Sequence, residues 1–294
     1  MHEVILDEAE WTARRAAHER RIDGWLGDHA ARRRQGRKHP VEDFLFTYYS
    51  LRPAKLRRWQ PGIGLRLAGA DPSDFGPDHR DGPGGAAVDV AAVLGRRRES
   101  ITWIGTLLRR TADRPAQFGC FGMHEWAMVY RQTAEEIRHA DWPLRLSPDA
   151  TARVVDDNRV RCSHFDAYRF FTPAARPLNV LTPTRDNQPD LDQPGCLHAT
   201  MDLYKWAYKL APLTGSELIA DCFALARDVR ELDMRASPYD LAALGYPPVP
   251  VETPAGRAEY ALAQRAFADR AHPLRERLAA VCETALGAPA PVIG

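Results

Sequence analysis

The stretch from Gly195 to Leu210, GCLHATMDLYKWAYKL, decides how the rest of this sequence is interpreted. At about 100° per residue it winds into a helix with one narrow charged sector, which holds His198, Asp202, Lys205 and Lys209. Apolar side chains flank that sector: Leu197, Met201, Tyr204 and Tyr208 on one side, and Ala199, Leu203, Trp206 and Leu210 on the other. A helix that is apolar nearly all round is typical of a protein interior. Because buried charges must be paired, the stretch predicts either a polar site or a structural network of ion pairs.

The composition is that of an ordinary globular protein. The 294 residues are 45% hydrophobic and 27% charged, with a net charge of +1 that gives no general attraction to nucleic acid. No apolar run approaches the length of a membrane span. The N-terminal MHEVILDEAEW lacks the apolar core of a signal peptide. We therefore expect a cytoplasmic protein without a membrane partner, whose five cysteines stay reduced.

Hydrophobic periodicity predicts a mainly α fold, a single compact domain of roughly eight helices over residues 1–294. The predicted helices include a long N-terminal one over 7–35 and others over 88–114, 118–140, 214–235 and 254–286. The Gly- and Pro-rich stretch 62–85 predicts a loop excursion or hairpin, and the tail 287–294 is expected to be frayed.

Two further segments of irregular composition follow the predicted helix 118–140. Alternation in RVRCSHFDAYRFF predicts a short extended segment over 159–171, with His164, Asp166 and Tyr168 on one face. The proline-rich residues 172–195 then form a loop of about 24 residues, and loops of that length within compact domains are often functional.

A basic and aromatic stretch, HPVEDFLFTYYSLRPAKLRRWQPG, covers residues 39–62. Its second half places four basic side chains around Trp59, namely Arg52, Lys55, Arg57 and Arg58. Interleaved aromatic and basic side chains can stack on unpaired bases and hold a phosphate backbone. A core helix with a basic end is the alternative interpretation.

Three histidines each lie in an aromatic stretch shortly after a cysteine: Cys120 with His124, Cys162 with His164, and Cys196 with His198. Mixed cysteine and histidine sets are typical of zinc sites. The histidines can instead converge with carboxylates such as Glu125, Asp166 and Asp202, as in helical di-iron proteins, and Glu136 and His139 provide one Glu-x-x-His pair. One interpretation of the sequence is therefore a metal-dependent enzyme that uses Fe or Zn. Such an enzyme would be an oxygenase or a hydrolase that acts on a small molecule. Its candidate ligands are His124, His164, Asp166, His198 and Asp202.

The central helix also carries the groups needed to hydrolyse an N-glycosidic bond. That reaction needs a carboxylate to orient water or stabilise the developing sugar cation, and aromatic rings to hold the base. Asp202 supplies the carboxylate, and Tyr204 and Trp206 on the same helix supply the rings. Lys205 and the basic cluster can bind phosphates.

Four stretches of the chain resemble a family of actinobacterial proteins commonly labelled 3-methyladenine DNA glycosylase. They are residues 39–62, FGCFGMHEWAMVYR, RCSHFDAYRFF and GCLHATMDLYKWAYKL, and the similarity spans about residues 10 to 245. The resemblance implies a repair hydrolase that excises alkylated purines such as 3-methyladenine from double-stranded DNA by cleaving the N-glycosidic bond.

We therefore expect a DNA glycosylase that needs no cofactor. Asp202 is the expected catalytic carboxylate, and His198 is expected to orient it. Tyr49, Tyr204 and Trp206 are the candidates for base stacking, and Arg52, Arg57, Arg58 and Lys205 are the candidates for phosphate contacts. The Fe- or Zn-dependent enzyme is the alternative, and a binding module without catalytic activity is the third interpretation.

Overall fold

The computed structural model describes residues 3–133, 136–137 and 142–287 of the chain. Over these residues it contains eleven α-helices and four short strands, so the prediction of a mainly α fold is confirmed. His139 of the Glu-x-x-His pair and residues 288–294 of the predicted frayed tail lie outside the described residues. In the described parts of the chain, no helix has a stretch that is both long and apolar enough to cross a bilayer.

The helices and strands have the following bounds. The helices are α1 Glu8–Arg34, α2 Phe44–Tyr48, α3 Pro53–Arg57, α4 Val90–Ala112, α5 Met123–Ala127, α6 Pro148–Asp156, α7 Phe165–Tyr168, α8 Gln188–Leu191, α9 Leu197–Leu210, α10 Ser216–Arg235 and α11 Pro254–Leu286. The strands are β1 Val4–Leu6, β2 Leu65–Leu67, β3 His79–Arg80 and β4 Ala86–Val88. The long predicted helices correspond closely to α1, α4, α10 and α11.

The chain divides into two compact units. The first comprises Met1–Arg109, Leu203–Ala224 and Leu274–Gly294, and the second comprises Arg110–Asp202 and Leu225–Pro273. In consequence α4, α9, α10 and α11 each contribute residues to both units.

The first unit begins with a capping box that starts α1. Asp7 Oδ1 accepts a hydrogen bond from the Glu10 amide at 2.8 Å, and Glu10 Oε2 accepts one from the Asp7 amide at 3.0 Å. The last turn of α1 contains Arg32, Arg33 and Arg34, whose charges complement the negative end of the helix dipole.

The excursion predicted over 62–85 contains strands β2 and β3 as well as loops. The sheet has the order β1-β2-β4-β3, with β1 parallel to β2 and the other pairs antiparallel. Gly85 has a φ of +109°, and a Cβ there would lie 1.9 Å from the Leu67 carbonyl oxygen, so the turn before β4 requires glycine. A small apolar cluster of Leu6, Trp11, Trp59, Leu67 and Phe75 covers this region.

The second unit departs from the predicted secondary structure at two places. Of the helix predicted over 118–140, the described residues contain only the short α5, because Phe121 and Arg131 adopt left-handed backbone conformations with φ of 49° and 53°. The extended segment predicted over 159–171 contains no strand among the described residues. His164 has an extended backbone, but Phe165–Tyr168 form the turn of helix α7, whose Tyr168 amide donates to the His164 carbonyl oxygen at 3.0 Å.

A candidate metal centre

Three histidines that are far apart in the sequence converge in the second unit. His124 lies on α5, His164 immediately precedes α7, and His198 lies in the first turn of α9. The ring centroids of His124 and His198 are 4.3 Å apart, with the rings nearly perpendicular, and those of His164 and His198 are 5.6 Å apart. The structure therefore brings together the three imidazoles that the sequence suggested as metal ligands.

The first group of potential ligands consists of His124, His198 and Asp233, with one ligand atom from each residue within 4.8 Å of the others. His124 Nε2 lies 2.8 Å from Asp233 Oδ1, and both side chains are buried. Asp233 comes from the last turns of α10, and sequence reasoning missed it. It lies near the end of the helix predicted over 214–235, and no spacing of residues there marks it as a ligand.

Asp233 is also held from its other side. Arg230 Nη1 donates to Asp233 Oδ2 at 3.0 Å and to Glu125 Oε1 at 3.2 Å, so a buried network of charges supports the first ligand group. These contacts fix the orientation of the Asp233 carboxylate towards the histidines.

The charges of this group follow from burial and from the near neighbours. Burial lowers the pKa of His124, but Asp233 outweighs it and raises that pKa well above its ordinary value. Burial raises the pKa of Glu125, and the nearby Asp233 carboxylate adds to that effect. The pKa of His198 is lowered well below its ordinary value by burial and by the charge of His124. His198 is therefore a neutral imidazole at pH 7, which is the form that binds a metal ion.

The second group consists of His164, Asp166 and Asp202, again with ligand atoms within 4.8 Å of one another. His164 Nδ1 lies 2.9 Å from Asp192 Oδ1, and Gln188 Nε2 donates to Asp192 Oδ2 at 2.9 Å. Burial lowers the pKa of His164, but Asp192 and Asp202 outweigh it and raise that pKa to about 10. Asp192 was also missed as a site residue, although it lies in the proline-rich loop that the sequence marked as functional.

The remaining ring nitrogen of His164 points at Asp202. His164 Nε2 lies 3.5 Å from Asp202 Oδ2, and within the described residues it makes no hydrogen bond. Both side chains are almost completely buried, with exposed fractions of 0% and 2%. With its pKa raised, the His164 ring is positively charged at pH 7 and forms an ion pair with the Asp202 carboxylate.

A small cavity lies against the first ligand group. Its wall includes His124 and His198 together with the thiols of Cys120, Cys162 and Cys196, and its volume is about 10 Å³, room for about one water molecule. A larger pocket of about 210 Å³ shares Cys120, Arg161, Ser163 and Gln193 with that cavity. All of these residues belong to the second unit, so the cavity and the larger pocket share part of one wall there.

The three cysteines that precede these histidines line one cavity. Burial raises the pKa of Cys162 and of Cys196 well above the ordinary value for a thiol, so both are protonated at pH 7. Neither ligand group above includes a thiol. None of the cysteines of the described chain forms a disulfide.

The aromatic residues expected to hold a base do not line either of these cavities. Tyr49, Tyr204 and Trp206 belong to the first unit and are buried, with exposed fractions of 5%, 0% and 6%. The Tyr204 ring packs edge-on against Tyr49 at 5.4 Å, and Trp206 packs against Trp103 at 5.4 Å. Their ring faces are therefore engaged in packing within that unit.

The residues expected to contact phosphates lie at the surface of the first unit. Arg52, Arg57 and Arg58 are exposed, and Arg57 Nε donates to Asp23 Oδ1 at 2.7 Å. Lys205 is half-buried, with Nζ 4.6 Å from the centre of the Trp206 ring. Of these predicted contacts, Arg58 lines a pocket in the first unit.

Comparisons with family models, with curated proteins and with solved structures found no significant match to the chain.

Proposed function

We propose that this protein is a metal-dependent enzyme that acts on a small molecule in the second unit. The observation that carries the proposal is the convergence of His124, His198 and Asp233, with ligand atoms within 4.8 Å of one another beside a cavity. Two imidazoles and one carboxylate are a common ligand set for Fe(II) and for catalytic Zn(II), and such a set leaves coordination positions open for substrate or water.

The surroundings of His164 support the proposal independently. Histidines that bind a metal usually donate their other ring N–H to a carboxylate, which fixes the tautomer and the direction of the ring. Asp192 is placed to do this for His164 at 2.9 Å, and Gln188 in turn holds Asp192.

The two ligand groups differ in their position relative to the cavity, although each has one partly exposed member, His198 or Asp166. His124 and His198 line the cavity, whereas no residue of the second group does. We therefore assign the substrate-facing ion to the first group. The second group either holds a further ion or orients the side chains of the first group. A bound ion would polarise a substrate oxygen or activate water, while Arg161, Gln193 and Ser163 of the larger pocket position the substrate.

Metal analysis of the purified full chain tests the proposal. The protein is prepared without chelator, incubated separately with Zn²⁺ and with Fe²⁺ under anaerobic reducing conditions, desalted and analysed by mass spectrometry. We expect at least one equivalent of one of these metals in the wild type and a loss of most of it in His198→Ala. The matched control is His272→Ala, which removes an exposed histidine of α11 and should leave the metal content unchanged.

Two results would overturn the proposal. One is a wild-type protein that retains neither metal after incubation. The other is equal metal content in wild type and His198→Ala, because the ion would then lie elsewhere.

A glycosylase acting on alkylated DNA is the second candidate. Its structural support is the exposed row of Arg52, Lys55, Arg57 and Arg58, since phosphate contacts from such side chains supply most non-specific DNA affinity. The test is release of 3-methyladenine from alkylated duplex DNA in the presence of EDTA. No release by the wild type contradicts this candidate, and equal release by Asp202→Asn removes Asp202 from it.

A further inference from the structure

A second pocket lies entirely within the first unit and has no part in the metal centre. Its volume is about 240 Å³, and its wall is formed by the end of α3, the loop before β3, the end of α9 and the start of α10. The residues that line it include Lys55, Arg58, Phe75, His79, Tyr208 and Ser216. A pocket of this size accommodates a small organic molecule.

The pocket carries an excess of positive charge. Lys55 and Arg58 are exposed, and neither forms an ion pair among the residues that the structure describes. The carboxylate in the wall is that of Asp78, and Arg96 is bound to it. The Arg58 guanidinium donates from Nη2 to the Asp74 carbonyl oxygen at 2.5 Å, so Lys55 and the other N–H groups of Arg58 are available to an anionic ligand.

His79 provides a polar group without a partner in the same wall. Its exposed fraction is 9%, and neither ring nitrogen makes a hydrogen bond of good geometry to a described residue, although the Gly76 carbonyl acts on the ring. Burial lowers the pKa of His79, so the ring is neutral at pH 7 and offers one donor and one acceptor. Buried polar atoms are rarely left without a partner, and such an atom in a pocket wall indicates a ligand or an ordered water.

The rest of the wall suits a ligand with a charged end and an apolar body. Phe75 packs against His79 with ring centroids 5.5 Å apart, and Leu56 and Ile219 add aliphatic surface. Ser216 begins the 20-residue helix α10, so the positive end of a helix dipole adjoins the cations.

We propose that this pocket binds a small organic phosphate, with Lys55 and Arg58 contacting the phosphate and His79 and Phe75 contacting the body. The proposal does not depend on the metal centre, because no residue of this pocket belongs to the second unit.

Calorimetric titration of the full chain in the presence of EDTA tests it, with adenosine 5′-monophosphate, inorganic phosphate and adenosine as probes. We expect the monophosphate to bind more tightly than inorganic phosphate and adenosine not to bind measurably. Arg58→Ala and Lys55→Ala should each weaken the binding of the monophosphate about tenfold, which is the effect of removing one charge-assisted contact. The control Arg20→Ala removes an exposed cation of α1 that lies outside the pocket wall and should have no effect.

His79→Phe keeps the packing against Phe75 but removes both ring nitrogens, and we expect it to weaken binding as well. Four outcomes would overturn the proposal. They are the absence of monophosphate binding at millimolar concentration, an equal effect of Arg20→Ala and Arg58→Ala, equal affinity for the monophosphate and adenosine, and equal affinity for the monophosphate and inorganic phosphate. Duplex DNA without terminal phosphates is titrated in parallel. If it displaces the monophosphate in an Arg58-dependent way, the pocket serves a nucleic acid backbone and the small-molecule proposal fails.

Discussion

Asp192 and His164 form a buried hydrogen bond of 2.9 Å between Oδ1 and Nδ1, which leaves Nε2 of the same ring 3.5 Å from Asp202. The carboxylate of Asp192 can only accept, so Nδ1 carries the proton of this bond. The bond therefore fixes the orientation of the ring, so that Nε2 is the nitrogen that faces the second ligand group.

Replacing Asp192 by Asn tests that role. The amide cannot stabilise the ring as an anion does, and loss of such a partner typically lowers metal affinity 10- to 100-fold. We expect a shift of that size in the Zn²⁺ dissociation constant, measured by competition with a chromophoric chelator. Asp190→Asn is the control, since Asp190 is an exposed neighbour that pairs with Arg110. Equal Zn²⁺ affinity of Asp192→Asn and wild type would contradict the assignment.

Asp43 in the first unit predicts a pH-dependent contribution to stability. Its carboxylate accepts from Arg32 Nη2 at 2.7 Å and from the His39 amide at 2.9 Å, and His29 Nδ1 lies 2.8 Å away. Burial raises the pKa of Asp43, but the bonds from Arg32 and His29 outweigh it and lower that pKa below the ordinary value. The stabilisation is therefore complete above the unfolded-state pKa of about 3.9 and is lost as the pH falls through the lower pKa of the folded state.

We expect Asp43→Asn to lower the free energy of unfolding by about 2 kcal/mol at pH 7, and by less below pH 3. Urea denaturation at both pH values measures the difference. Asp28→Asn, an exposed change on α1, should have little effect at either pH. An Asp43→Asn deficit that is as large at pH 2.5 as at pH 7 would show that the carboxylate charge is not what stabilises this region.

Gly85 and Gly95 provide a matched pair for backbone strain. A methyl group at Gly85 collides with the Leu67 carbonyl and the backbone is left-handed, whereas a methyl group at Gly95, inside α4, meets open space. We expect Gly85→Ala to lower the free energy of unfolding by more than about 2 kcal/mol, and Gly95→Ala to raise it by up to about 1 kcal/mol. Chemical denaturation of both variants decides this, and equal effects of the two changes would contradict the structure of the turn before β4.

The cysteines should differ sharply in reactivity. Cys120 is half-buried, whereas Cys162, Cys196, Cys222 and Cys282 are buried. Burial also raises the pKa of the Cys222 thiol, which further slows its reaction. A chromogenic disulfide reagent should therefore modify one thiol rapidly in the native protein and the others only on unfolding. Cys120→Ser should abolish the rapid phase, and a rapid phase that persists in this variant would locate the accessible thiol elsewhere.

Local sequence was sufficient for the long helices. The bounds of α1 and α11 lie within one or two residues of the predicted ones, because capping and 3.6-residue periodicity act between near neighbours. It was insufficient for residues 118–140, where the left-handed conformations of Phe121 and Arg131 interrupt a helical pattern. A contact distant in sequence holds that region, since Trp126 Nε1 donates to the Ala236 carbonyl oxygen at 2.9 Å.

The sequence by itself determined which chemistry is available, namely histidines beside carboxylates in aromatic, buried segments. Only the tertiary structure decided which of them meet: it added Asp192 and Asp233, and it sealed Tyr204 and Trp206 into packing. His124 and Asp233 are 109 residues apart in the chain, so no local pattern records their contact. The chemical type of a side chain is given by its own position in the sequence, whereas its partners depend on how helices that are distant in the sequence pack together.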